Sequence, residues 1–263
     1  MSSYYNAHRS RNLYKPNAEK PFKLSRTKID LFLECPRCFY VDRRLGTGRP
    51  PGYPFNLNSA VDTLLKAEFD THRVAETRHP LLEQYGVDVR PVEHEDLHKW
   101  RMNFTGVQFL HKRTYFLVFG AIDDLWQDPD GNYIVVDYKA TSSKSEITAL
   151  DKDWHIGYKR QMEVYQWLLR KNDLPVSDTG YFVYCNGRTD REAFDGKLDF
   201  DVTLIDYTGS DAWVEDTLER IWQCLNSDHI PAASDDCDYC AYIAAVGEVT
   251  ARETQVELDF DGD

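Results

Sequence analysis

The stretch Asp128-Pro129-Asp130-Gly131-Asn132 constrains this chain more than any other. Asp and Pro initiate a turn, Gly and Asn accept the left-handed backbone that closes it, and runs rich in β-branched and aromatic residues flank it on both sides. With the turn centred on Asp130, residues 115–125 and 133–138 fold back on each other so that opposed residue numbers sum to about 260. That register sets Asp123 across from Asp137, with Cβ atoms about 5 Å apart. Carboxylates so close repel, and the pairing is tolerated when a cation lies between them or one is protonated. Lys139 follows two residues after Asp137, on the same face by period-two alternation and opposite the small Ala121.

One patch therefore combines two carboxylates and an ammonium. Hard carboxylate oxygens suit Mg²⁺ or Mn²⁺, which polarises a phosphoryl oxygen, while the lysine orients or deprotonates a water and offsets transition-state charge. The pattern points to phosphodiester hydrolysis. A solvated acidic strand face is the competing reading.

Around this hairpin, Ser25 reads as the cap of a helix ending near Cys35-Pro36, and residues 58–73, 156–171 and 211–225 carry helical periodicity. Residues 107–110, 180–185 and 198–205 read as strands, so that 107–110, 115–125 and 133–138 form an antiparallel meander. Residues 76–100 are weakly patterned. The order predicts a mixed central sheet covered by helices in one domain, residues 23–245, preceded by a flexible basic arm (1–22) and followed by a frayed acidic tail (246–263).

The net charge of −13 argues against a nucleic-acid partner only as a single number. Residues 1–50 carry 11 Lys/Arg against 4 Asp/Glu, whereas residues 201–263 carry 2 against 16. Segregation of this kind leaves a basic face able to follow phosphates, or else two solvated tails of opposite sign. The N-terminus is polar and basic, and no run approaches the roughly eighteen apolar residues of a membrane span. The expectation is a cytoplasmic protein with no membrane contact.

In a reducing compartment, closely spaced cysteines read first as metal ligands. Cys35-Pro36-Arg37-Cys38 and Cys237-Asp238-Tyr239-Cys240 make a closed four-thiolate set, suited to structural Zn²⁺ or to a [4Fe-4S] cluster. Shared by one centre, they would staple the N- and C-terminal segments. Cys185 and Cys224 fall within apolar patterns and read as packed thiols.

The runs Gly120-Ala121-Ile122-Asp123-Asp124-Leu125 and Val135-Val136-Asp137-Tyr138-Lys139-Ala140-Thr141 resemble the core of the PD-(D/E)XK nuclease superfamily, in its RecB-like branch. The resemblance implies a three-layer α/β/α restriction-endonuclease-like fold. It also implies a site in which Asp123 and Asp137 bind the metal, with the Tyr138 carbonyl as a third oxygen, and Lys139 serves catalysis. Gln161 and, one turn later, Tyr165 match the branch's Gln and Tyr on the following helix. They stand on one helical face, to contact phosphate or brace the carboxylates. Where the branch has Gly-x-x-x-His, this chain has Asn58-Ser59-Ala60-Val61-Asp62; Asp62 is an oxygen donor suited to Mg²⁺ or else a surface residue. The cysteines resemble those of the iron–sulfur nucleases related to AddB and the CRISPR-adaptation exonucleases, although that subgroup commonly splits its ligands one and three.

These likenesses imply a Mg²⁺-dependent deoxyribonuclease acting on single-stranded DNA or duplex ends, beside a helicase or another recombination or CRISPR-type protein. A catalytically inactive nucleic-acid-binding or assembly protein with the same fold, and a zinc-stapled interaction module, are the alternatives. Tyr4, Tyr5 and Tyr14 are expected to be free to stack on bases, with Phe39 and Tyr40 packed beside the cysteines. Glu93-His94-Glu95 and His98 read as an exposed polar loop or a further metal site, and His155 as a residue approaching the active site.

Overall fold

The computed structural model describes residues 5–52 and 55–260, with side chains as far as residue 252, so Tyr4 lies outside the described residues. In chain order the first elements are β1 (Phe22–Ser25), α1 (Arg26–Glu34), α2 (Pro36–Tyr40), a wide helical turn (Val41–Leu45) and α3 (Asn56–Val74). Next come α4 (Pro80–Gln84), β2 (Arg90–Pro91), α5 (Leu97–Trp100), β3 (Val107–His111), β4 (Phe116–Gly120), β5 (Asp124–Gln127) and β6 (Tyr133–Thr141). The chain continues through α6 (Ile156–Lys171), β7 (Thr179–Gly187), β8 (Phe200–Thr208), α7 (Trp213–Asn226) and α8 (Asp238–Phe260). Two compact units result, one of residues 23–26 and 53–216, the other of residues 1–22, 27–52 and 217–263.

In the first unit the expected turn closes on itself. Asp128 Oδ1 accepts from Asn132 N at 2.8 Å, and Gly131 takes φ +86°, a backbone state that costs glycine nothing. β5 and β6 pair antiparallel, and every pair sums to 260. The expected meander does not form. Its middle strand is two strands: β4 belongs to a three-stranded sheet ordered β1-β4-β3, and β5 to a five-stranded sheet ordered β2-β5-β6-β7-β8. The strand breaks where Ile122 is buried and its N–H leaves the ladder for Trp100 O at 3.1 Å. At Gly120, a Cβ would stand 2.5 Å from the Tyr165 ring, so only glycine lets the strand and α6 approach this closely.

β6 and β7 are parallel, and α6 is the helical crossover that such a pair requires. α6 contacts β6 of the large sheet and β3 and β4 of the small one. That double contact explains why Gln161 to Leu169 are all buried, an unbroken run that an amphipathic surface helix would not show. Alternation on β6 sends Ile134, Val136 and Tyr138 into an apolar cluster with Leu65 and Phe69 of α3. Asp137 and Lys139 are left on the α6 face. Helix, mixed sheet and helix thus form the three layers expected, with the chemistry on the C-terminal half of β6. Asp124, beside Asp123 in sequence, has a different fate. It is fully buried against Arg73 and accepts from Arg101 Nη2 at 2.7 Å and Tyr138 OH at 2.7 Å.

In the second unit, Ile29 and Phe32 of α1 and Leu218, Ile221 and Leu225 of α7 are buried. The N-terminal arm, expected to be loose, is irregular but tied down. Arg9 N bonds Gly46 O at 3.0 Å and Tyr14 N bonds Arg43 O at 2.8 Å. Tyr14 is accordingly not free for bases: it is buried edge-on against Phe22, and its hydroxyl accepts from Asn226 Nδ2 at 2.8 Å. Phe39 and Tyr40 are buried beside the first cysteine pair. Of the tail expected to fray (246–263), the described part, as far as Phe260, continues α8, in which Ala241, Ala244, Ala245 and Ala251 are strong helix formers. No described helix is long and apolar enough to cross a membrane.

Candidate active site and thiolate centre

Asp137 is completely buried in the middle of β6. Its Oδ1 accepts from Gln161 Nε2 at 2.5 Å, and its Oδ2 lies 2.5 Å from Lys139 Nζ in an ion pair. Lys139 Nζ donates to Gln161 Oε1 at 3.2 Å and stands 4.4 Å from the centre of the Tyr158 ring. Gln161 thus grips both members of the pair, with its amide orientation set by donating to one and accepting from the other. Tyr165 OH lies 3.3 Å from Gln161 Nε2 and is itself buried. Of these two helix residues, Gln161 bonds the Asp137 carboxylate and Tyr165 meets Gln161.

Electrostatics follow from burial and the charge count. Burial raises the Asp137 carboxyl, Lys139 pulls it back and Asp123 adds to the rise, leaving it at about 6. For Lys139, burial works against the ammonium, but Asp137 and then Asp123 outweigh it and hold the lysine above its ordinary range. Burial also raises the Tyr165 hydroxyl, and the charge of Arg26 opposes the rise at both Tyr165 and Asp137.

Asp123 occupies the bend just before β5, in line with the register that opposes it to Asp137. Its Oδ2 accepts from Tyr138 N at 3.0 Å, which brings the Tyr138 backbone to the site. Its Oδ1 meets Lys66 Nζ at 3.1 Å, and the same ammonium lies 2.8 Å from Asp62. Asp62 is thereby drawn into the site; burial first, then Asp123, raises its carboxyl. Asn58 Nδ2 donates to Ala140 O at 2.6 Å and fastens α3 to the end of β6. Lys66, Tyr158 and Arg26 are residues that sequence reasoning missed. Only Lys66 left a signal, one helical turn beyond Asp62.

His155 does not reach the carboxylates. It is buried against Trp154 and lies 5.8 Å, ring to ring, from Tyr158, which separates it from Lys139. His94 is stacked on Trp100 at 4.2 Å.

The residues present fit a divalent ion. Asp62, Asp123 and Asp137 set three carboxylates, the hard oxygen donors that such an ion takes, against the ammonium groups of Lys66 and Lys139. The lysines stand where the carboxylates would otherwise converge. Among the described residues, the group whose ligand atoms already lie within 4.8 Å of one another is the four cysteines.

Both cysteine pairs are built alike. Cys35 caps the N-terminus of α2, its sulfur accepting from Cys38 N at 3.5 Å, and Cys237 immediately precedes α8. Each pair therefore sits on the positive end of a helix, which favours thiolate. Cys35 Sγ and Cys240 Sγ are 3.8 Å apart, and Cys38 Sγ is 3.6 Å from both Cys237 and Cys240. Arg49 Nη2 adds a contact to Cys237 Sγ at 3.5 Å. Burial opposes ionisation of Cys35, yet backbone donors and neighbouring thiols bring it down to about 6, while burial pushes Cys38 and Cys240 up. Cys185 and Cys224 lie apart from this centre, each raised by burial to about 11.

A family model of the PD-(D/E)XK nuclease superfamily matches residues 56–245, most of the chain. The protein belongs to that superfamily. Comparison with curated proteins finds no match.

Proposed function

We propose that this protein is a divalent-metal-dependent deoxyribonuclease of the RecB-like kind, with one structural Zn²⁺ held by Cys35, Cys38, Cys237 and Cys240. The observation that carries the nuclease reading is the buried Asp137 carboxylate, held by Gln161 through one oxygen and paired to Lys139 at 2.5 Å through the other, with Asp123 bonded to the next backbone N–H of the same strand. Asp123, Asp137, the Tyr138 carbonyl and Asp62 would hold Mg²⁺ or Mn²⁺, and the ion would supply polarisation of the scissile phosphoryl group.

The chain's own residues do the rest. Lys139 orients the attacking water by donating to it and offsets the negative charge that grows on the phosphoryl oxygens, because Asp137 and Asp123 keep its ammonium protonated. Gln161 keeps lysine and carboxylate in register. Tyr165 and Tyr158 close the apolar side, which excludes competing water and strengthens the charges inside. Lys66 neutralises Asp62 and Asp123 until a cation replaces it.

Single-stranded DNA or duplex ends as substrate, and a helicase or other recombination or CRISPR-type protein as partner, rest on the motif resemblance. A nuclease-fold protein that binds DNA without cutting is the second reading, and the observation favouring it is Lys66, which fills the space between two of the carboxylates. Labelled single- and double-stranded DNA incubated with Mg²⁺ or Mn²⁺ decides: the protein should degrade it and Asp137→Asn should not. Equal degradation by both, or by neither, overturns the catalytic reading.

Zinc is preferred on distance. Four thiolates at about 2.3 Å from one tetrahedral ion lie about 3.8 Å apart, the spacing seen here, whereas a four-iron cluster binds each sulfur to a different iron and spreads them. Elemental analysis should find one zinc per chain, lost in Cys38→Ser/Cys240→Ser. Four irons and a visible absorbance band would overturn the assignment.

A further inference from the structure

Asp42, in the Val41–Leu45 turn, is 1% exposed, and three cations close on it. Arg9 Nη1 lies 2.8 Å from Oδ1, while Lys28 Nζ and Arg43 Nε each lie 2.8 Å from Oδ2. One carboxylate offsets one of the three charges. Beside them opens a polar cavity of about 490 Å³ whose lining includes Arg9, Arg11, Lys28 and Arg49 against Asp42 and Glu34. Arg49 already pairs with Glu34 at 2.7 Å. Arg11 is exposed, and its guanidinium makes no hydrogen bond or ion pair among the described residues. The cavity thus concentrates positive charge in a chain whose net charge is −13. Lys28 registers the crowding: burial, and behind it Arg43 and Arg9, outweigh Asp42 and lower its ammonium. An anion in the cavity would relieve all of these charges together, and a phosphate offers the several acceptor oxygens that lysine and guanidinium donors match.

We infer that this cavity binds a phosphate group of the nucleic acid on which the protein acts, through Arg9, Arg11 and Lys28. The identity of the ligand rests on the nuclease reading; the surplus of charge does not. The phosphate is either a backbone diester or a terminal monoester.

The test is fluorescence anisotropy of the full chain with labelled single-stranded oligonucleotides, without divalent ions, across a salt series. Arg11→Gln and Lys28→Gln should each weaken binding several-fold and flatten the plot of log affinity against log salt by about 0.7 per lost contact. Lys28→Arg should keep the slope. Lys197→Gln, an equal charge change at an exposed site between β7 and β8, should alter neither quantity. An unchanged slope in Arg11→Gln, whose side chain makes no hydrogen bond or ion pair among the described residues, overturns the inference. So does an equal loss in Lys197→Gln, which would mark overall charge. A loss confined to 5′-phosphorylated strands identifies the monoester, and a loss shared with 5′-hydroxyl strands identifies the backbone. Cleavage with Mn²⁺ is scored separately, so a protein that never cuts but shows the slope change refutes the nuclease reading and leaves the phosphate site standing.

Discussion

Asp42 and Asp137 are equally shut away from solvent, at 1% and 0% exposure, and their carboxyls move in opposite directions. Burial raises both. At Asp42, Lys28 and Arg43 outweigh it and take the carboxyl down to about 2. At Asp137, burial with Asp123 behind it outweighs Lys139 and the weaker pull of Arg26, and the carboxyl finishes at about 6. The difference lies in the local charge count, and it gives each region an opposite need. Around Asp42 the cations exceed the carboxylate and an anion is wanted, whereas around Asp137 three carboxylates gather whose hard oxygens suit a cation.

Four changes test this contrast. The largest effect is expected at Lys139→Met, which removes the water-orienting ammonium beside Asp137. Single-turnover cleavage should fall by about 10²–10⁴-fold, and a variant that cuts at the original rate would show that the pair is merely structural. Asp42→Asn should leave Arg9, Lys28 and Arg43 without a counter-charge and cost about 3–5 kcal/mol in urea denaturation. A cost near zero would mean that the cations there do not depend on the carboxylate.

The pH dependence follows from the same residue. Because the folded carboxyl of Asp42 titrates at about 2, below its ordinary 3.8, its contribution is present above the unfolded value and is lost as pH falls through about 2. That loss amounts to about 2 kcal/mol, read as a falling denaturation midpoint that Asp42→Asn should flatten. The smallest effect is expected at Lys66→Met. Removing the ammonium between Asp62 and Asp123 should tighten Mn²⁺ binding about tenfold by calorimetry. Weaker binding would make Lys66 a support of the carboxylates instead of a stand-in for the ion.

Much of the hairpin was legible beforehand. The Asp130 turn carries its own register, so the 260 rule held through β5 and β6, and helical spacing marked α6 at its observed ends, Ile156–Lys171. The strand across residues 115–125 was misjudged, since nothing local distinguishes a continuous strand from one whose buried Ile122 bonds to Trp100 and redirects the chain into another sheet. Tyr14 was misjudged for a similar reason: in a stretch without periodicity, its burial depends on Phe22 and Asn226 arriving from elsewhere.

By itself, then, the sequence determined what short-range rules govern: the turn, the opposition of Asp123 to Asp137, the common face of Asp137 and Lys139, the one-turn spacing of Gln161 and Tyr165, and the two cysteine knuckles. Tertiary structure alone decided which charges meet. Lys66 reaches Asp123 across 57 positions, Arg9 reaches Asp42 across 33, and Cys35 meets Cys240 across 205. Such contacts obey no spacing rule, because they are fixed by how helices and sheets pack once the whole chain has closed on its core. Packing therefore set the charge balance that makes one buried aspartate a candidate metal ligand and the other the anchor of a cationic pocket.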